Sequence, residues 1–301
     1  MLKKFRGVTI VELLVATAIA VTVFAMAINI YVAAKNNYNN LKDRVDTEVK
    51  ELTTKRLLYN FVKNSGLACH FGFTNQNYHN NTGDTLDDYF TTNSSVIVGP
   101  LPFSSGSSFA GALEEGCSGD CFQAGSDYIM VKKEENHVEL TASNSSEAIL
   151  EVSSVSDFSV GDYLALCNKD DIDLVKVGSV NSETNNLDLV SAPSSNIYYP
   201  GDYVGQYSLQ VIYIRDTGEQ DEDGNDIFSL YIYIKDNDSS GMSYELVRGI
   251  EDLQVEYATV SDGNITWNVV SSDIGVDGSG YPAVRVSFSV DGESFSKVIV
   301  I

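Results

Sequence analysis

Residues 3–34 read KKFRGVTIVELLVATAIAVTVFAMAINIYVAA, and this stretch decides the fold. A basic tip of Lys3, Lys4 and Arg6 leads into Gly7, and from Val8 to Ala34 the only charged side chain is Glu12. Neither Pro nor Gly interrupts residues 8–65, so no residue type in that span breaks a helix. The 27 residues from Val8 to Ala34 make a helix about 40 Å long, enough to cross a bilayer. Glu12 is the unusual member. A carboxylate in hydrocarbon costs roughly 2.5–3.5 kcal/mol on insertion scales, and a plain anchor gains from Leu at that position. The sequence therefore predicts a cationic partner for Glu12 inside the membrane. The basic tip keeps the leader cytoplasmic and places the rest of the chain outside the cytoplasm.

Two plainer readings compete. A cleaved secretory signal also has a basic start, an apolar core and a small-residue cleavage site, which Ala25-Met26-Ala27 would supply. Glu12 interrupts that core, however, and the apolar run continues past Ala27 to Ala34. A simple single-pass anchor leaves Glu12 without a reason.

Past the membrane-length segment the helical pattern continues. Tyr38, Leu41, Val45, Val49, Leu52, Tyr59 and Val62 recur at helical spacing with charges between them. Gly66 then offers a stop. The expectation is one spine of roughly 57 residues, about 85 Å long, whose amphipathic half (35–65) lays one face on a sheet. A coiled coil fits less well, because the core positions are impure over three to four heptads.

After Gly66 the texture changes. Residues 74–84 (TNQNYHNNTGD) and the Ser/Gly-rich 91–111 around Pro100 and Pro102 read as loops within a polar region of about 70–125. From Asp127 onward, short apolar runs alternate with turn residues. Strands are expected at 128–132, 138–141, 149–152, 163–167, 174–180 and 187–190. A second set is expected at 207–215, 228–235, 253–260, 265–270, 284–290 and 298–301. Alternation is clean where Leu230, Ile232 and Ile234 oppose Tyr231 and Tyr233. It is equally clean where Val284, Val286, Phe288 and Val290 oppose Arg285, Ser287 and Ser289. That pattern suits a mainly antiparallel sheet with one face covered. The fold class is therefore α+β: a long N-terminal helical spine packed on an extracytoplasmic β-rich head (66–301).

Charge bounds the partners. The chain has 301 residues and a formal net charge of −23. Residues 1–65 hold ten basic and five acidic side chains, while 66–301 hold nine basic and 37 acidic. A head of that sign is a poor match for nucleic acid or an anionic membrane surface.

At this point the sequence resembles a family. Lys3-Lys4-Phe5-Arg6-Gly7 followed by Val8-Thr9-Ile10-Val11-Glu12-Leu13-Leu14-Val15 resembles the class III leader of type IV pilins and pseudopilins. The resemblance implies a leader of residues 1–7 that prepilin peptidase cuts between Gly7 and Val8, with Val8 then N-methylated. The family usually has Phe or Met at the first mature position. The resemblance also implies that Glu12, fifth in the mature chain, pairs with the N-terminal amine of a neighbouring subunit. Glu245-Leu246-Val247-Arg248-Gly249-Ile250-Glu251-Asp252-Leu253-Gln254-Val255-Glu256-Tyr257, followed by Trp267 and then Ala283-Val284-Arg285-Val286, resembles the C-terminal block of PilW-type minor pilins. Phe158-Ser159-Val160-Gly161-Asp162-Tyr163 and Ser65-Gly66-Leu67-Ala68-Cys69 resemble further segments of the same proteins. Major pilins of the family often carry a helix-breaking proline in the membrane half, and its lack here fits a minor component. The implied role is non-enzymatic: priming or capping a type IV pilus within a minor-pilin tip complex, with adhesion and twitching motility downstream. The implied partners are other minor pilins, the major pilin, prepilin peptidase and the inner-membrane assembly platform, with no direct nucleic-acid binding. The implied location is the inner membrane, single-pass with a periplasmic head, and then the pilus at the cell surface. Two alternatives stay open: a J-type pseudopilin at the tip of a type II secretion pseudopilus, and a membrane-tethered adhesin.

The remaining candidates are few. Cys69, Cys117, Cys121 and Cys167 are an even set in an exported domain and predict two disulfides. Three pairings are open. A zinc site with His70 lacks a matching spacing. Asp221, Asp223 and Asp226 are the calcium candidates, although Asp226 stands where an EF-hand loop needs Gly, and a solvated hairpin tip is the alternative. His70, His79 and His137 join no catalytic motif, and no enzyme activity or cofactor is expected. The polar stretch 74–116 is a candidate tip recognition loop or a plain surface loop. Tyr198-Tyr199-Pro200 is a candidate exposed aromatic contact or a strand start.

Overall fold

The computed structural model describes residues 10–67, 77–84, 90, 94–103, 113, 121–145, 147–194, 197–221, 223–239, 241–276 and 280–301. The chain divides into two compact units, Met1–Lys50 and Glu51–Ile301. A single helix, α1 (Ile10–Lys63), runs through the boundary in the chain.

In the first unit α1 carries mostly Ala and large apolar side chains over its first half, and its residues are exposed from Ile10 through Asp46. Its hydroxyls are satisfied locally. Thr17 Oγ1 donates to the Leu13 and Leu14 carbonyls at 3.0 Å, and Thr22 Oγ1 to the Ile19 carbonyl at 2.8 Å. Folding back in this way is how a hydroxyl avoids an unmet hydrogen bond in apolar surroundings.

In the second unit the last turns of α1 bury Thr54, Leu58 and Val62, with Leu57 and Phe61 half-buried beside them. This is not the face the spacing of apolar residues suggests. Tyr38, Leu41, Val45, Val49, Leu52 and Tyr59 are 42–70% exposed, and of the expected stripe only Val62 is buried. At 3.6 residues per turn the exposed members of the stripe lie roughly 100–180° round the helix from Leu58. The helix therefore has two apolar faces, and packing selects the shorter one, Leu58 and Val62. The helix ends at Lys63. Gly66, with φ +127°, turns the chain into a parallel bridge, its N–H donating to the Lys132 carbonyl at 2.8 Å.

The strands in chain order begin with β1 (Asn77–Asn80), β2 (Val96–Pro100), β3 (Asp127–Glu139), β4 (Asn144–Ser145), β5 (Ile149–Glu151) and β6 (Tyr163–Cys167). Then come β7 (Asp171–Asn181), β8 (Asn186–Leu189), β9 (Ile197–Tyr198), β10 (Tyr203–Gln220), β11 (Asp226–Lys235) and β12 (Met242–Arg248). The last are β13 (Ile250–Ser261), β14 (Asn264–Val269), β15 (Ile274–Val276), β16 (Ala283–Val290) and β17 (Glu293–Val300). Among the described residues they form an eleven-stranded sheet with the path β15-β2-β3-β10-β6-β7-β8-β5, on which β11 joins β10, β12 joins β11, and β1 joins β7. A second sheet is ordered β14-β13-β16-β17, and β4 pairs with β9. Among the named strand pairs only β1–β7 is parallel. The architecture is α+β, with one long apolar N-terminal helix and a largely antiparallel sheet.

The large sheet is covered on both faces, where the alternation predicts one. Strand β10 sends Tyr207, Leu209, Val211 and Tyr213 to one core, and Ile212 and Ile214 to another. Strand β3 splits the same way, Tyr128 and Met130 against Ile129 and Val131. The second core closes between this face, Leu58 and Val62 of the helix, and Val255, Val284, Val286, Phe288 and Val290 of the second sheet. A third core lies under β5, β6, β7 and β8, with Leu164, Leu166, Val175, Val177 and Leu187. In β11, Leu230 and Ile232 face the second core while Tyr231 and Tyr233 face the first, so both sides of its alternation are apolar.

Two segments read as loops are strands. Val96–Pro100 is buried through Gly99 and pairs with β3, because neighbours on both sides complete a ladder that a five-residue run next to Pro100 and Pro102 does not advertise. Asn77–Asn80 adds to β7 by its backbone, with polar side chains that carry little strand propensity.

Candidate membrane-assembly segment and head surface

Gly7 and Val8 lie outside the described residues. Glu12 sits in the first turn of α1. Around and beyond it Ile10, Leu13, Leu14, Ile19, Phe24 and Ile30 are 58–79% exposed. This is the one helix among the described residues long and apolar enough to cross a membrane. About a dozen Leu, Ile, Val and Phe side chains at 0.3–0.6 kcal/mol each contribute on the order of 4–7 kcal/mol to insertion. That outweighs the roughly 2.5–3.5 kcal/mol a carboxylate costs at a helix centre, which is an upper bound for Glu12 in the first turn. The segment can therefore insert with Glu12 in place, while giving up at most about half of the gain.

Cys121 and Cys167 are buried and disulfide-bonded. Cys69 and Cys117 lie outside the described residues, and His70 with them. Among the described residues no group of three His, Cys, Asp or Glu side chains could hold a metal ion. His79 Nε2 lies 3.3 Å from Asp171 Oδ1, and His137 packs edge-on to the Tyr203 ring at 5.9 Å.

Asp221, Asp223 and Asp226 lie at the hairpin tip between β10 and β11. Asp221 Oδ1 accepts the backbone N–H of Asp223 at 2.9 Å and of Asn225 at 2.8 Å, and its Oδ2 accepts from Asn225 Nδ2 at 2.9 Å. These bonds, the Asn225 side chain first, hold the Asp221 carboxyl below the usual carboxylate range. Asp226 opposes Gln220 in the ladder and accepts from Gln220 Nε2 at 3.0 Å. Asp221 and Asp226 are thus engaged in closing the turn.

Several buried polar groups carried no sequence signal. Asp173 is fully buried and accepts from Asn81 Nδ2 at 2.6 Å, Ser194 N–H at 2.9 Å and the Tyr198 hydroxyl. Burial, and then the Asp173 charge, push the Tyr198 hydroxyl up. Lys132 is buried. Its Nζ donates to the Phe90 carbonyl at 2.6 Å and lies 4.7 Å from the centre of the Tyr78 ring. Burial pushes its ammonium down to about 7. Asp127 Oδ2 accepts the Val255 N–H at 2.7 Å and so ties β3 to the second sheet. Burial pushes its carboxyl up to about 6, against the pull of that hydrogen bond. Each of these needs a partner from a distant part of the chain, which local spacing does not display.

The Tyr198-Tyr199 pair divides. Tyr198 is fully buried, while Tyr199 is 58% exposed and lines a surface cleft with Asn168, Lys169, Asp170, Ile197 and Asp202. In comparisons with protein families, curated proteins and solved structures, none matches this chain.

Proposed function

We propose that the chain is a type IV minor pilin of the PilW type. It is made as a membrane prepilin, cut between Gly7 and Val8, methylated at Val8, and docked through α1 with other minor pilins to prime or cap a pilus. The observation that carries this reading is a membrane-length helix with one carboxylate, Glu12, in its first turn. A carboxylate that removes part of the insertion gain is favoured only if a cation meets it, and a free amine at the start of a neighbouring helix is such a cation. The exposed stripe Tyr38–Tyr59 supports the same reading, because it gives α1 an apolar face for neighbouring subunits beyond its membrane half. The acidity of residues 66–301 favours a role in assembly over direct DNA binding.

The test is the intact mass and N-terminus of the chain purified from its native membrane, together with a Glu12→Leu variant. The expected mature chain begins at methylated Val8. The variant is expected to insert and be processed while failing to enter filaments. A chain starting at Met1 means a plain anchor, and cleavage after Ala27 means an exported domain; either result removes the reading. Copurifying pilins then separate a pilus from a secretion pseudopilus.

A further inference from the structure

The cleft beside Tyr199 is a site the assembly reading does not use. Its volume is 490 Å³, within the range of about 300–1,000 Å³ usual for small-ligand sites. One wall is apolar and exposed: the Tyr199 ring and Ile197, which is 48% exposed. The facing wall is the β6–β7 turn, which presents the exposed Lys169 and Asp170. Both walls are fixed from beneath. Asn168 Oδ1 accepts the Asp170 and Asp171 N–H groups at 2.8 Å, directly after the disulfide-bonded Cys167. Asp202 Oδ2 accepts the Tyr199 N–H at 2.7 Å, and the neighbouring Tyr198 is anchored on Asp173. The two loops are therefore held by side-chain-to-backbone bonds, and Tyr199, Lys169 and Asp170 line the cleft between them.

The chemistry of the walls narrows the ligand. Asp170, Asp171 and Asp202 against the single Lys169 repel an anion. That excess of carboxylates admits a cation, but one aromatic ring does not make a cage for an organic one. No set of three ligating side chains among the described residues fits a metal. What remains is a neutral molecule with an apolar face for the ring and hydroxyls that both donate to carboxylates and accept from an ammonium. A pyranose has both features, since its axial C–H bonds form the apolar face. We propose that the Tyr199 cleft binds the end of a neutral saccharide, with Tyr199 as the stacking platform and Asp170 and Lys169 as hydroxyl partners.

The test uses the full chain in lipid nanodiscs, free of sugar-based detergent, and saturation-transfer NMR. The probes are methyl glycosides of glucose, galactose, mannose and N-acetylglucosamine, with sialic acid and choline as charged comparisons. At least one neutral glycoside is expected to bind. Tyr199→Phe is expected to retain binding, Tyr199→Ala to abolish it, and Asp170→Ala to weaken it at least tenfold. Tyr244→Ala, which removes another exposed ring, is expected to leave it unchanged. Tyr199 and Asp170 lie on exposed loops and Tyr244 is an exposed position of β12, and an unchanged melting temperature shows that the variants fold. No binding of any neutral glycoside overturns the proposal, as does binding that survives Tyr199→Ala or selective binding of sialic acid or choline.

Discussion

Asp127 shows how one side chain can join two sheets and make the junction depend on pH. Its carboxyl is 4% exposed and receives the Val255 N–H from β13. Burial raises it to about 6 in the fold from 3.8, so between those values the folded state binds more protons than the unfolded one, and stability falls as pH rises. Its stabilising contribution is fully present below pH 3.8 and is lost as pH passes about 6. Asp127→Asn keeps an acceptor for Val255 and removes the charge. The expected outcome is a melting temperature that varies less between pH 4 and 6 than in the parent, and is higher at pH 7; thermal melts across that range check it. Asp127→Ala instead strands the Val255 N–H, at a cost of about 1–3 kcal/mol.

At the scale of elements, α1 presents different chemistry along its length. Its first half is apolar all round, and its last turns give the second core Leu58 and Val62. Leu58→Ala opens a cavity in a fully buried position and is expected to lower the stability of the head by about 2–5 kcal/mol. Leu52→Ala, at a position 70% exposed, is expected to change it by less than about 0.5 kcal/mol. Urea denaturation of the two variants, followed by near-ultraviolet circular dichroism, separates the packed face from the exposed stripe. An equal loss in both would place the stripe against the sheet instead. In the second sheet, Arg285 shows how the face away from the core is furnished. Its guanidinium lies over the Trp267 ring at 4.7 Å, and its Nε donates to Glu256 at 2.5 Å. That polar face is the reason Val284, Val286, Phe288 and Val290 alternate so cleanly in the sequence.

At the scale of the molecule, the head builds three cores around a sheet buried on both faces and adds disulfides at Cys121 and Cys167. Reduction is expected to lower the stability of the head by about 2–5 kcal/mol, read as a lower urea midpoint with dithiothreitol than without. An unchanged midpoint would mean that the bridges close loops already held by packing. The sequence by itself determined the helix, the antiparallel class and the strands with one polar face. Tyr163–Cys167 has the bounds its apolar run predicts, and Gly66 stands just past the end of the helix at Lys63, at φ +127°, a conformation that only Gly readily adopts. These are local properties, written in periodicity and in single residues that cannot do otherwise. Only the tertiary structure decided which apolar face of α1 packs, that Val96–Pro100 and Asn77–Asn80 are strands, and that Asp173, Lys132 and Asp127 are buried. It also decided that Tyr198 is core while Tyr199 lines a cleft. The reason is that burial and strand pairing are relations between distant residues. Asp127 finds Val255, Asp173 finds Asn81, and Tyr199 comes to line one cleft with Asp170 only once long-range ladders have brought them together.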